Sequence, residues 1–426
     1  MRQAAQIREE MKAGACRELL HDIYVDEGML DYQQERYVRA LQSYIDLFGE
    51  NEVEIYSAAG RSEVGGNHTD HQHGMVLATS LNLDAIAVVN RREDGKIRLQ
   101  SEGYSMIELC TDDTVKKDAE EGTSIGLIRG VLAGLKERGY QVGGFNAYVT
   151  SDVLNGAGMS SSAAFEVIIG TILSGLYNEM KISMVEIAQV GQYAENVYFG
   201  KPCGLMDQMA CAVGGLIHID FKDPAKPVVN KVNVDFETHK YSLCIVDTKG
   251  SHDDLTDDYA QIPFEVKKVA DFFGKEVLRD VDVQEFYAQI PALREKFGDR
   301  PVLRAIHFFG DNARVAAQVE ALNQGEFDRF LRLVKESGDS SFKYLQNIYT
   351  TKDVQNQAMS IALAVSETVL GEHGVCRVHG GGFAGTIQAF VENDFVETYR
   401  EALDHVFGEG ACHVLKVRKY GGMKVM

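Results

Sequence analysis

The stretch Asn155-Gly156-Ala157-Gly158-Met159-Ser160-Ser161-Ser162-Ala163-Ala164 constrains this chain more than any other. Before it, Phe145, Ala147 and Val149 alternate as a strand, and after it an apolar run to about residue 180 reads as a helix. A strand, a glycine loop and a helix start in direct succession make a set of oriented N–H groups suited to an anion. The plainer alternative is a Ser-capped helix after a flexible turn. The loop is no Walker A motif, which needs Gly-Lys-Ser/Thr. Nor is it a dinucleotide fingerprint, since Ser161 stands where the third glycine belongs.

Two further clusters stand out. From Gly60 to Gly74 run Arg61, Ser62, Glu63, Asn67, His68, Thr69, Asp70, His71, Gln72 and His73 among four glycines, a loop with the paired donors and acceptors that a polyol needs. Arg61 is a fixed cation suited to phosphate or a developing alkoxide. His68, His71 and His73 raise metal binding as a competing idea, but no carboxylate-plus-histidine helix spacing accompanies them. The other cluster runs from Glu195 to Gln208. Glu195 lies on a patterned helix and Asp207 follows a glycine-containing turn, so the two carboxylates can divide metal binding and base catalysis. Cys203 reads as a packed thiol rather than a nucleophile, since no histidine lies beside it.

The remaining pattern sets the organisation. Residues 1 to about 48 read as helix, with Asp31 as an N-cap. A strand at 53–57 precedes the polar loop, and 85–90 with 96–100 read as a hairpin around Glu93-Asp94-Gly95. Two of the six prolines, Pro224 and Pro227, mark a boundary near 220–232, after which helical patterns dominate up to a second glycine cluster, His379 to Gly385. Hairpins and helices without regular βαβ alternation give an α+β fold. The domains expected are an N-terminal helical extension, 1–48, then 49–228 and 229–426.

Against 63 Asp and Glu the chain sets 43 Lys and Arg, a formal charge of −20, so no nucleic-acid partner is expected. The charged N-terminus is no secretory signal, no apolar run is long enough to span a membrane, and seven scattered cysteines suit a reducing compartment; a cytoplasmic location is expected.

Taken in order, Gly60-Arg61, then Gly66-x-His68-Thr69-Asp70, then the serine loop, then Cys203-Gly204-x-Met206-Asp207-Gln208, and finally Gly380-Gly381-Gly382-Phe383-x-Gly385 resemble the galactokinase family of the GHMP small-molecule kinases. Arg304-Ala305-Ile306-His307, Arg314-Val315 and Tyr259 match it too. The resemblance covers residues 53–426. It implies a ribosomal-protein-S5-like N-terminal domain, a ferredoxin-like C-terminal domain, and ATP and sugar held between them. It further implies Gly156, Gly158, Ser160, Ser161, Ser162 and Ala163 on ATP, Mg²⁺ on Ser162 and Glu195, and Asp207 as the base for an anomeric hydroxyl. Arg61 becomes the cation beside that hydroxyl, and Asn67, His68, Asp70, Gly204 and Tyr259 the sugar contacts.

The chain departs from the family in carrying Asn67 where a glutamate, commonly on the sugar's C6 hydroxyl, is usual. It also carries Ala59 for proline and Met159 for leucine, and Ser337 to Ser341 depart from the family's Ser-His-x-Ser pattern. The expected activity is an ATP-dependent galactose 1-kinase, monomeric or weakly dimeric. A kinase for an N-acetylated or 6-deoxy aldose and a non-catalytic sugar sensor are the alternatives.

Overall fold

Residues 52–101 hold the small and β-branched residues of the first sheet, and three helices precede them. A computed structural model describes residues 2–153, 159–234, 236, 238–250, 255–383 and 385–426. A short strand β1 (Arg2–Gln3) leads into α1 (Ala4–Lys12), α2 (Arg17–Tyr24) and α3 (Leu30–Phe48). The helical expectation for 1–48 thus resolves into three pieces. Asp31 does not cap α3: the chain enters through a tight turn in which Asp26 accepts from the Gly28 N–H at 2.9 Å, while Asp31 pairs with Arg17 at 2.7 Å.

Then come β2 (Glu52–Gly65), β3 (Met75–Arg92), β4 (Lys96–Ser101), β5 (Ile107–Cys110), α4 (Ser124–Glu137) and β6 (Gly144–Ser151). Next are α5 (Ser161–Asn178), α6 (Met184–Tyr193), α7 (Met206–Val213), β7 (Leu216–Asp220) and β8 (Val228–Lys231). Strands β1-β2-β3-β6-β4-β5 lie side by side, with β7 and β8 extending from β3. Helices α4, α5, α6 and α7 cover one face, and α1 to α3 the other, packing Tyr24, Tyr37 and Leu41 against Ile55, Ile86 and Val88.

Two sequence expectations change here. The segment after Ser57 does not end as a strand; β2 continues through Arg61 to Gly65, with register shifts between Ala59 and Arg61 and between Glu63 and Gly65. The bulges re-aim polar side chains without breaking the strand. Nor do 85–90 and 96–100 form a hairpin: β6 lies between β3 and β4, antiparallel to one and parallel to the other. Gly144 makes room for it, because a Cβ there would come within 2.5 Å of the Lys96 carbonyl.

The second half comprises β9 (Tyr241–Asp247), α8 (Thr256–Phe272), α9 (Val283–Ala288), α10 (Ile290–Phe297), α11 (Asp299–Asn323), α12 (Phe327–Ser340), α13 (Ala358–Leu370), β10 (Gly374–Val378), β11 (Thr386–Glu392), α14 (Val396–Phe407) and β12 (Cys412–Leu415). Its sheet runs β10-β11-β9-β12, all antiparallel. The chain then returns to the first sheet, where β13 (Met423–Lys424) pairs with β2. The mixture of helix and sheet is α+β. Among the described residues no helix is long and apolar enough to cross a membrane, and all seven cysteines are free.

Candidate active site

The bulge after Ala59 aims Arg61 across the first sheet to the start of α7. There its Nε and Nη2 donate to the two carboxylate oxygens of Asp207 at 2.6 and 2.8 Å, a bidentate pair. Ser160, left-handed at φ 57° immediately before α5, donates its hydroxyl to Asp207 Oδ2. The Asp207 side chain is 29% exposed against 5% for Arg61, so the carboxylate faces the cleft and the guanidinium backs it. Burial would raise the Asp207 carboxyl, but Arg61 and Ser160 outweigh it and hold it at about 2.

A second carboxylate lies on the preceding helical element. Glu195 sits where α6 loosens into a π-helical turn, 194–199, a distortion frequent at functional sites. Its Oε1 accepts from Ser162 Oγ at 2.9 Å and Lys201 Nζ at 3.1 Å, and its Oε2 from Gln208 Nε2 at 2.7 Å. Gln208 also donates to Glu166 Oε2 at 3.1 Å. Burial beside Glu195 pushes the Glu166 carboxyl well up, and its Oε1 has no partner. The serines therefore do not serve as helix caps; two of the three hydroxyls go to carboxylates. Ser161 opens α5 and Ala163 is buried in it. Burial pushes the Cys203 thiol up, as expected of a packed thiol.

A third group lines up behind Gly66, where a Cβ would meet the Met75 carbonyl at 2.4 Å. His68 (φ 57°) directs Nε2 to the Gly381 carbonyl at 2.9 Å. That acceptor fixes the proton on Nε2, and burial drives the ring pKa down to about 3. The Asp70 carboxylate lies against Gly204, where a Cβ would sit 1.7 Å from Oδ2. Tyr259 packs on bare Gly381 and donates to the Gly382 carbonyl at 2.8 Å. His68 and Tyr259 thus meet at the glycine cluster of the second half, while Asp70 and Gly204, from distant parts of the sequence, meet each other.

Asn67 is different. Its Nδ2 donates to Glu63 Oε1 at 3.0 Å and the Gly380 carbonyl at 2.7 Å. Its Oδ1 accepts from Asn347 at 2.8 Å and Ser341 at 3.2 Å. Its backbone N–H and C=O meet Asp311 and His307 of α11 at 2.8 and 2.9 Å. Expected as a sugar contact, Asn67 is a fully buried hub whose side-chain bonds are spent on the protein. Behind it Glu63 pairs with Arg377 at 2.7 Å.

Gly156 and Gly158, expected on ATP, lie outside the described residues. Sequence reasoning assigned no role to Glu63, Glu166, Lys201, Gln208, Asn347 or Arg377. Glu166 was within reach, being one turn from Ser162 on the same helix face. Arg377 and Asn347 carry no local signal, since their partners Glu63 and Asn67 stand 314 and 280 positions away.

The chain matches two family models, the GHMP kinases N terminal domain over residues 126–215 and the galactokinase galactose-binding signature over 42–91. It is 30% identical to a galactokinase of Streptomyces coelicolor over 88% of this chain and 94% of that one. It is also 30% identical to a galactokinase of Glaesserella parasuis, over 84% and 90%. Among solved structures, Lactococcus lactis galactokinase complexed with galactose superposes with a TM-score of 0.77 at 25% identity, covering 90% of this chain and 98% of that one. The mevalonate kinase of Methanococcus jannaschii, at 15% identity and TM-score 0.60 over 86% of this chain and 99% of that one, shares the fold.

Proposed function

Because the chain belongs to the galactokinase family of GHMP kinases, we propose that it transfers the γ-phosphoryl group of ATP to the anomeric hydroxyl of α-D-galactose, giving galactose 1-phosphate. The observation that carries this reading is the Arg61–Asp207 pair, with Ser160 on the same carboxylate. Phosphoryl transfer asks for positioning and charge stabilisation more than covalent chemistry. A carboxylate held at about 2 is a weak base. Asp207 therefore orients the sugar hydroxyl by accepting its hydrogen bond, and takes the proton late, as the oxygen–phosphorus bond forms. Arg61 lowers the hydroxyl's pKa and steadies the transferring group. His68, Asp70, Gly204 and Tyr259 hold the sugar, while Ser160, Ser161, Ser162, Ala163 and, by sequence, Gly156 and Gly158 hold the nucleotide.

The residues fit a magnesium ion, a hard cation that takes few protein oxygens and shares phosphates and water. Ser162 Oγ and Glu195 Oε1 are adjacent, and Glu195 is already satisfied by a cation, Lys201. Ser162 and Glu195 would hold the ion, and it would supply neutralisation of the nucleotide's phosphate charge.

Asn67 favours a second reading. With its side chain committed to the protein, this wall presents no carboxylate to a hydroxyl, so a related aldose, 6-deoxy or N-acetylated, is the alternative substrate. We further propose a cytoplasmic location and a monomer or weak homodimer, in keeping with seven free cysteines. The test is phosphate transfer from ATP to a panel of monosaccharides: galactose is expected to give the highest kcat/KM, and another aldose ranking first would select the second reading. Asp207→Ala is expected to lower kcat by roughly 10²–10⁴-fold. Wild-type turnover in that variant removes the mechanism.

A further inference from the structure

Three polar side chains meet where α5, α6 and α7 come together, and none is more than 2% exposed. Gln208 directs its amide nitrogen to Glu195 Oε2 at 2.7 Å and to Glu166 Oε2 at 3.1 Å. An amide carries two hydrogens on that nitrogen, so each carboxylate is offered one. Turning the amide over would set its oxygen against both carboxylates. Gly191 of α6 leaves room for the pair: a Cβ there would stand 3.1 Å from Glu166 Oε2 and 3.2 Å from Gln208 Cγ.

Packing does not ask for this arrangement. Glu166 is the one charged residue of α5, an otherwise apolar helix whose buried positions include Ala163, Val167 and Gly170. Its Oε1 has no partner, and neither has Gln208 Oε1. A buried oxygen without a partner costs stability, so covering the sheet alone would favour apolar side chains at both positions. What the pair does instead is fix Glu195. The last torsion of a glutamate is broad, so the chain leading to a carboxylate does not decide which way its two oxygens point. Gln208 takes Oε2, which leaves Oε1 directed at Ser162 Oγ, 2.9 Å away, and at Lys201 Nζ, 3.1 Å away.

We propose that Gln208 and Glu166 are positioning residues for the Glu195 carboxylate: Gln208 holds Glu195 by Oε2, and Glu166 holds Gln208, so that Oε1 stands beside Ser162. The proposal rests on the reading of Ser162 and Glu195 as the pair that holds Mg²⁺. Both residues act through Glu195. Hydrogen bonds from behind orient a ligating carboxylate, and their loss lowers affinity for the ion. Gln208 also follows Asp207 directly in the first turn of α7. One helix start therefore places the carboxylate on Arg61 and orients the carboxylate on Ser162.

The test measures affinity for the ATP analogue AMPPNP by titration calorimetry on the full chain, once with saturating Mg²⁺ and once with EDTA. The ratio of the two affinities is the Mg²⁺ gain. Galactose affinity and melting temperature are measured beside it. The double variant Glu166→Leu/Gln208→Met replaces both polar groups by apolar ones of similar size. It trades two unpaired buried oxygens for one, Glu195 Oε2, so its melting temperature is expected close to wild type. Its Mg²⁺ gain is expected to fall roughly tenfold, with AMPPNP affinity in EDTA and galactose affinity unchanged. Glu166→Gln keeps an acceptor for Gln208 and is expected to retain the wild-type gain. An unchanged gain in the double variant overturns the proposal. So does an equal loss of affinity with and without Mg²⁺, or the same loss in Glu166→Gln. A double variant that melts far below wild type also overturns it, since the pair is then structural. Wild type showing no Mg²⁺ gain overturns the reading of Ser162 and Glu195 instead, and the proposal falls with it.

Discussion

At the scale of residues, Asn67 lies against a buried carboxylate, Glu63, four positions before it. A glutamate at 67 would set a second carboxylate at hydrogen-bond distance from Glu63, where two like charges disfavour one another. Asn67→Glu is expected to lower the melting temperature, with a cost of roughly 3–5 kcal/mol for a buried charge without its partner. Adding Glu63→Asn should recover part of the loss; no recovery in the double variant would mean that the two positions are not coupled. Glu63 also carries a pH signature. Burial raises its carboxyl from 4.5 to about 7, with Arg377 and Arg61 pulling the other way. Between those values the folded protein holds a proton that the unfolded chain releases, so stability from this group is full below about 4.5 and is lost as pH rises to about 7. Chemical denaturation from pH 5 to 8 should therefore show wild type losing stability relative to Glu63→Gln, and a constant gap would contradict the assignment. Of this, Arg61 and Asp207 were legible because each is embedded in a local motif. The hub was not, because Asn67 looks the same in sequence whether it faces a ligand or Asn347.

At the scale of elements, the strand that carries Arg61 was misread as a loop for a physical reason. Polar and glycine residues at 61–66 contradict a strand pattern only if their faces are apolar; here Gln388 donates to Ser62 and Arg377 to Glu63, so a polar strand is satisfied from the second half. The same logic hid the position of β6, since a tight turn at Glu93–Gly95 predicts adjacent strands and says nothing of a third strand admitted by Gly144. The end of α5 was legible to within two residues, because apolar periodicity is a local property. One contact between elements is open to direct test. Gly204 precedes α7 and lies on Asp70, and the Cβ of Gly204→Ala would displace that carboxylate. The expected result is a sugar KM raised about tenfold or more, the worth of one charge-assisted bond, with the KM for ATP unchanged; equal changes in both would argue that Asp70 does not serve the sugar.

At the scale of the whole molecule, one buried carboxylate gathers the two ends of the sequence. Asp84 accepts from Arg36 and from Arg418, each at 2.7 Å, and from Tyr24 and Ser57, and is itself fully buried. Burial would raise its carboxyl, but the two guanidinium groups hold it below the usual value. Asp84→Asn leaves the buried Arg418 facing a neutral amide and Arg36 with Asp152 as its remaining carboxylate, and urea titration should show a loss of roughly 3–5 kcal/mol. Beyond Arg418, β13 adds to β2, and the Val425 N–H donates to the Ile55 carbonyl at 2.7 Å. Arg418 follows Asp84 by 334 positions, and translation adds on the order of 5–20 residues per second. The first sheet therefore spends tens of seconds on the ribosome with Arg36 in place and the second cation of Asp84 not yet made.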